Sequence, residues 1–307
     1  MDHFADRLLA ACRRKGAPVC VGLDPVYQRL PAQLRDDGPA DPTTDAAGAC
    51  RTIETYCRAV IDAAADHVAA VKPQLACFER YLWPGLAMLH RVITYARQKG
   101  LLVIADGKRG DIGISAEHYA AGCLGDAAYE DLGRPSGPDA LTINSYLGPD
   151  SIQPLINQAA AEGKGLFALV RTSNPGSDAL QTLPLADGRT VAEAVADFVR
   201  ESGEQDGCIG ESGYSLLGAV VGATKPQDAA ALRQRMPRQI FLVPGFGTQG
   251  GSPEDVRACF KPDGTGAIIT ASRSVLYAYE KVQTDDWRGA IEQAAADLNQ
   301  EIGQIVN

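Results

Sequence analysis

The chain has 307 residues, of which 45% are hydrophobic and 22% charged, with a formal net charge of −9. That balance excludes a disordered or fibrous polymer and argues against binding to a nucleic-acid backbone, which calls for a basic surface, while leaving room for a small anion in a local basic pocket. No apolar run approaches the roughly 18 residues needed to span a bilayer. The opening MDHFADRLLAACRRKGAP carries acids where a signal peptide carries bases, so a cytoplasmic protein with no membrane attachment is expected. The eight cysteines, at 12, 20, 50, 57, 77, 123, 208 and 259, form no CxxC pair and have no histidine at ligand spacing. This predicts reduced thiols and no metal site.

Taken in chain order, the predicted strands are VCVGLD at 19–24, VAAVKP at 68–73, LLVIAD at 101–106, ALTINS at 140–145, LFALVRTS at 166–173, LGAVVGAT at 217–224, IFLVPGF at 240–246 and AIITASR at 267–273. Apolar residues at successive positions suit strands covered on both faces, as parallel strands flanked by helices are. Between the second and third runs, Leu89, Val92, Ile93 and Ala96 mark one helix face, and Lys99-Gly100 is a stop signal. Before the eighth run, SPED at 252–255 reads as a helix start: a Ser cap, Pro at the first turn, and acids against the positive helix end. Eight strands alternating with helices predict an α/β fold, a (β/α)8 barrel forming a single domain over 1–307. Stretches at 34–49, 124–139 and 174–215 read as surface insertions. A doubly wound open sheet is the competing architecture, although nothing after the first strand resembles GxGxxG.

In such a barrel the C-terminal strand ends share one side, where active sites sit. Reading the last residues of each run collects Asp24, Lys72, Asp106 with Lys108, Asn144, Thr172 with Ser173, Thr224, the PGFGTQGG loop from Pro244, and Arg273. Several have plainer readings. Asp24 in GLDP suits a turn, DGKRGD suits a solvated loop, and a glycine-rich stretch suits an ordinary turn. Lys72 is harder to set aside, because a lysine ending an apolar strand needs water or a carboxylate, and consecutive parallel strands bring Asp106 beside it. Arg273 beside a glycine-rich loop, after strands seven and eight, points to a phosphorylated small molecule.

GLDP, the lysine of VKPQLACFE, DGKRGDI, TSNPGS, VPGFGTQGG and TASRS, in this order over residues 19–277, resemble the orotidine 5′-phosphate decarboxylase family, in its longer, mainly bacterial branch. The resemblance implies decarboxylation of orotidine 5′-phosphate to UMP without a cofactor. It implies a catalytic set Lys72, Asp106, Lys108 and Asp111, in which Lys108 stabilises charge at C6 and then protonates it, held charged by the two acids. It also implies a homodimer in which Asp111, Ile112 and Ser115 enter the neighbour's site; Ser115 stands where threonine is frequent. Asp24 would bind ribose hydroxyls, Ser173 the pyrimidine edge, and Gln249 with Arg273 the phosphate. Pro244 and Gly250, from the same loop as Gln249, would join the substrate-binding set. Closure of that loop over the phosphate would exclude water.

Two other functions remain open from the residues. A sugar-phosphate decarboxylase or aldolase of the same superfamily would use the DxKxxD core with Mg2+, but it places an acid where this chain has Lys72. A nucleotide-binding protein without turnover would keep the phosphate pocket and lose a charged residue.

Overall fold

Successive residues of a strand face opposite sides, and in this chain both sides are dry. Cys20, Ala70, Ile104, Ala140, Phe167, Leu242 and Ile268 pack with one another in one buried cluster. Their neighbours Val21, Val71, Val103, Leu141, Val243 and Ile269 pack in another with Ile53, Val92, Ile152 and Ile291 of the surrounding helices. The computed structural model describes residues 2–306 apart from 128, 134–135, 224–225 and 247–252. The strands are β1 (Val19–Leu23), β2 (Ala70–Pro73), β3 (Leu102–Arg109), β4 (Ala140–Ile143), β5 (Gly165–Arg171), β6 (Leu217–Val221), β7 (Phe241–Pro244) and β8 (Ala267–Ala271). Each pairs in parallel with the next, and β8 returns to β1 with Val19 opposite Ile269, which closes the barrel and rules out the open sheet.

The connecting helices lie outside, at Ala46–Ala64, Leu82–Gln98, Gly113–Cys123, Pro149–Glu162, Val191–Gly203, Pro226–Arg235, Pro253–Arg257 and Trp287–Val306. Leu89, Val92, Ile93 and Ala96 are the buried face of Leu82–Gln98, which stops at Lys99 and a Gly100 with φ of 78°. Pro253 opens a helix as predicted, only five residues long; Ser252 lies outside the described residues. The stretch 174–215 contains Val191–Gly203, the helix that carries the chain from β5 to β6, and 34–49 runs into Ala46–Ala64.

An N-terminal helix, Phe4–Lys15, closes the end of the barrel where the strands begin. Phe4 meets Phe167 edge-on at 5.9 Å between ring centroids. Gly165 makes room for it, since a Cβ there would lie 2.0 Å from the Phe4 ring. The opposite end is left to the polar strand ends. Among the described residues, no helix is long and apolar enough to cross a membrane, and the eight cysteines are unpaired.

Candidate active site

β2 and β3 bring Lys72 and Asp106 together in a buried position. The pairing of the two strands is prolonged by a bridge between Gln74 and Asp106. Lys72 Nζ donates to Asp106 Oδ2 at 2.6 Å, and the Gln74 side-chain amide donates to the same oxygen at 3.3 Å. The other oxygen, Oδ1, accepts from Lys108 Nζ and, at 3.0 Å, from the Thr142 hydroxyl of β4. One carboxylate thus holds two ammonium groups, and each of its oxygens has two donors.

Burial alone would push the Asp106 carboxyl up, but the charges of Lys72 and Lys108 outweigh it and hold the group down at about 2. Burial would likewise lower Lys72, and the charges of Asp106 and then Asp24 raise it above its ordinary value instead. Both groups are therefore charged at neutral pH. The Cys20 thiol on the same inner face of the barrel is pushed up to about 12 by burial, against the pull of Lys72, so it supplies no nucleophile.

β3 runs through Lys108 to Arg109, three residues further than the apolar run suggests, and Lys108 takes a left-handed backbone with φ of 48°. The Lys108 side chain remains about half exposed, so its ammonium reaches the open mouth of the barrel while resting on Asp106. Asp111 lies apart. Its carboxylate accepts from the Ile112 amide at 2.8 Å and forms no ion pair with either lysine of its own chain among the described residues. Ile112 and Ser115 are exposed.

Asp24 follows β1. Its Oδ1 is buried without a hydrogen-bond partner among the described residues, an acceptor left open beside Lys72. Its loop is fixed by Tyr277, whose hydroxyl donates to the Asp24 carbonyl at 3.0 Å and accepts from Val26 N–H at 2.9 Å. Ser173 follows β5 and packs tightly beneath Gly222 at the end of β6, where a Cβ would lie 2.8 Å from that of Ser173. The segment carrying Ser173 is anchored by buried Arg171, which binds Asp228 at 2.7 Å, the Ser177 hydroxyl at 2.9 Å, and Asp178.

Pro244 is the last residue of β7. Arg273 does not end β8, as the apolar run implied; it is the first residue of a short helix, Arg273–Leu276, after Ser272. It is exposed and lines a cavity of about 560 Å3 with Arg29, Tyr277 and Lys281. Gln249, Gly250 and Thr224 lie outside the described residues. Asn144, counted among the polar strand ends, is exposed and uses its side chain to accept from Tyr146 N–H. Gln74 and Thr142 are the residues that strand-end reading misses. Counting by twos along the inner face, 70-72-74 and 140-142, would have found both.

Fold and site together define a (β/α)8-barrel enzyme whose mouth is built on a lysine–aspartate–lysine charge set. More particularly, the chain belongs to the orotidine 5′-phosphate decarboxylase family: residues 17–284 match the model of the Orotidine 5′-phosphate decarboxylase / HUMPS family. The orotidine 5′-phosphate decarboxylase of Rhodopirellula baltica is 43% identical over 308 aligned positions, covering 98% of this chain and 99% of the relative. That of Caldicellulosiruptor bescii is 36% identical with both chains fully covered. Among solved structures, the OMP decarboxylase of Leishmania donovani superposes with a TM-score of 0.73 at 30% identity, covering 99% of each chain.

Proposed function

We propose that this chain converts orotidine 5′-phosphate to UMP and CO2 as a step of pyrimidine biosynthesis. The observation that carries the reading is the Asp106 carboxylate shared by Lys72 and Lys108 at the barrel mouth, in a chain of this family. When the bond from C6 to the carboxylate breaks, its electron pair stays on C6 in the ring plane, where the π system cannot spread it. The Lys108 ammonium stabilises that charge across a short distance, then gives C6 a proton and takes another from solvent. Asp106 keeps Lys108 charged and directed, and Lys72 offsets the second negative charge that the substrate carboxylate brings.

The open acceptor of Asp24 suits ribose hydroxyls, and Arg273 suits the phosphate. Ser173 meets the pyrimidine edge, while Pro244, Gln249 and Gly250 complete the binding set. Asp111, Ile112 and Ser115 serve the site of a second copy, making the working unit a homodimer. The reading places the enzyme in the cytoplasm and calls for no cofactor. A divalent cation at Asp106 would have to displace an ammonium from either oxygen, which disfavours the Mg2+-dependent branch.

The test is the ultraviolet absorbance of orotidine 5′-phosphate mixed with the purified protein in excess EDTA. Loss of the orotate band with UMP as product is expected. Turnover that appears only when Mg2+ is restored would move the chain to the sugar-phosphate branch. Silence under both conditions, with tight UMP binding, would leave a nucleotide-binding protein.

A further inference from the structure

Where β3 meets β4, Ala105 stands opposite Leu141 and the next pair is Arg109 with Ile143. Residues 106–108 therefore lie against Thr142 alone, a bulge that interrupts the ladder between the two strands. An amide in such a bulge has to find a partner outside the regular ladder. The Lys108 N–H finds the Thr142 hydroxyl oxygen at 3.0 Å. Lys108 also holds a left-handed backbone, a conformation that is unfavourable for a residue with a side chain and persists only where its surroundings fix it.

Because the Thr142 oxygen accepts from that amide, its single hydrogen is free to point elsewhere, and it goes to Asp106 Oδ1 at 3.0 Å. The same carboxylate oxygen receives the Lys108 ammonium. Thr142 is 1% exposed, so water does not compete for either bond. A closed circuit results: backbone of Lys108, hydroxyl of Thr142, carboxylate of Asp106, ammonium of Lys108.

We infer that Thr142 is a positioning residue for the decarboxylation: its hydroxyl fixes the bulged backbone of Lys108 and the plane of the Asp106 carboxylate together, and so aims the ammonium at C6. The inference rests on Lys108 being the group that stabilises and protonates C6. Thr142 itself does not touch substrate in this assignment, so its loss acts on turnover and not on binding.

Two pairs of side chains isolate the hydroxyl. Thr142→Val keeps the shape, while Thr142→Ala and Thr142→Ser differ from each other only in the oxygen. Thr142→Val and Thr142→Ala are expected to lower kcat about 10- to 100-fold, the loss expected of a reacting group displaced by a fraction of an ångström to an ångström. UMP affinity should stay within about threefold of the parent in both, and Thr142→Ser should restore kcat to within about threefold. Normal kcat in both Thr142→Val and Thr142→Ala, equal losses in all three variants, or UMP affinity falling in step with kcat would each overturn the positioning role. Lys108→Ala, measured alongside, separates the two levels. Normal turnover in Lys108→Ala removes the assignment of Lys108 itself; its loss beside normal kcat in both Thr142→Val and Thr142→Ala removes only the role of Thr142.

Discussion

Asp106 is ionised down to about pH 2 because two ammonium groups outweigh its burial, and that preference is also a contribution to stability. The sign follows from the folded value lying below the ordinary 3.8. The contribution is complete above 3.8 and disappears as pH falls through about 2, whereas that of Lys72, whose value is raised, holds below 10.5 and fades above it. The Asp106 preference is worth about 2 kcal/mol at neutral pH, roughly half of it gone by pH 3. Asp106→Asn leaves Lys72 buried without its counter-charge, at a cost of about 3 kcal/mol at pH 7. Urea unfolding of parent and variant should therefore show a gap that is constant from pH 7 to 5 and narrows toward pH 3. A gap that stays constant to pH 3 would mean that the carboxylate is not held ionised by its neighbours. Lys72 and Asp106 were legible in the sequence because charged side chains ending apolar strands have few places to go. Thr142 and Gln74 were not read at the strand ends, because an uncharged polar residue draws notice only when positions are counted by twos along the inner face from Lys72 and Ala140.

At the scale of elements, every apolar run became a strand, since a parallel strand buried on both faces leaves a continuous apolar signature that helices of amphipathic pattern do not. The end of β3 was harder to place, as Asp106 and Lys108 look like the start of a solvated loop until their partners on β2 and β4 are known. The N-terminal helix had no reading at all. Its Phe4 is buried in contact with Phe167 and above Gly165, a contact of high sequence separation that no local pattern reports. This helix seals the end of the barrel away from the charged residues, so stability and chemistry are divided between the two ends. Phe4→Ala is expected to cost about 3–5 kcal/mol in chemical unfolding through the cavity it leaves. Its kcat, measured where the protein is still folded, should match the parent. A selective fall in kcat at full folding would show that the two ends are coupled.

For the whole molecule, the placement of Asp111 is the feature that a single chain does not explain. It sits at the end of β3, within three residues of Lys108, yet it faces its own next amide and not the lysine. After three adjacent strands the chain exposes large apolar side chains: Trp83 at 78%, Ile112 at 58%, Ile114 at 70% and Tyr146 at 75%. The homodimer proposed above would cover these groups, which follow β2, β3 and β4 in turn, with the equivalent residues of a second copy in a two-fold arrangement. Lys108→Ala and Asp111→Ala should each abolish most turnover alone. If Asp111 acts across the interface, a heterodimer of the two variants contains one site with both defects and one with neither. Free exchange of subunits in an equal mixture makes half the dimers mixed, so activity should return to about a quarter of the parent level. Were Asp111 to act within its own chain, both sites of the heterodimer would carry one defect and mixing would restore nothing. Sedimentation of the mixture at the assay concentration distinguishes that result from a failure to form dimers.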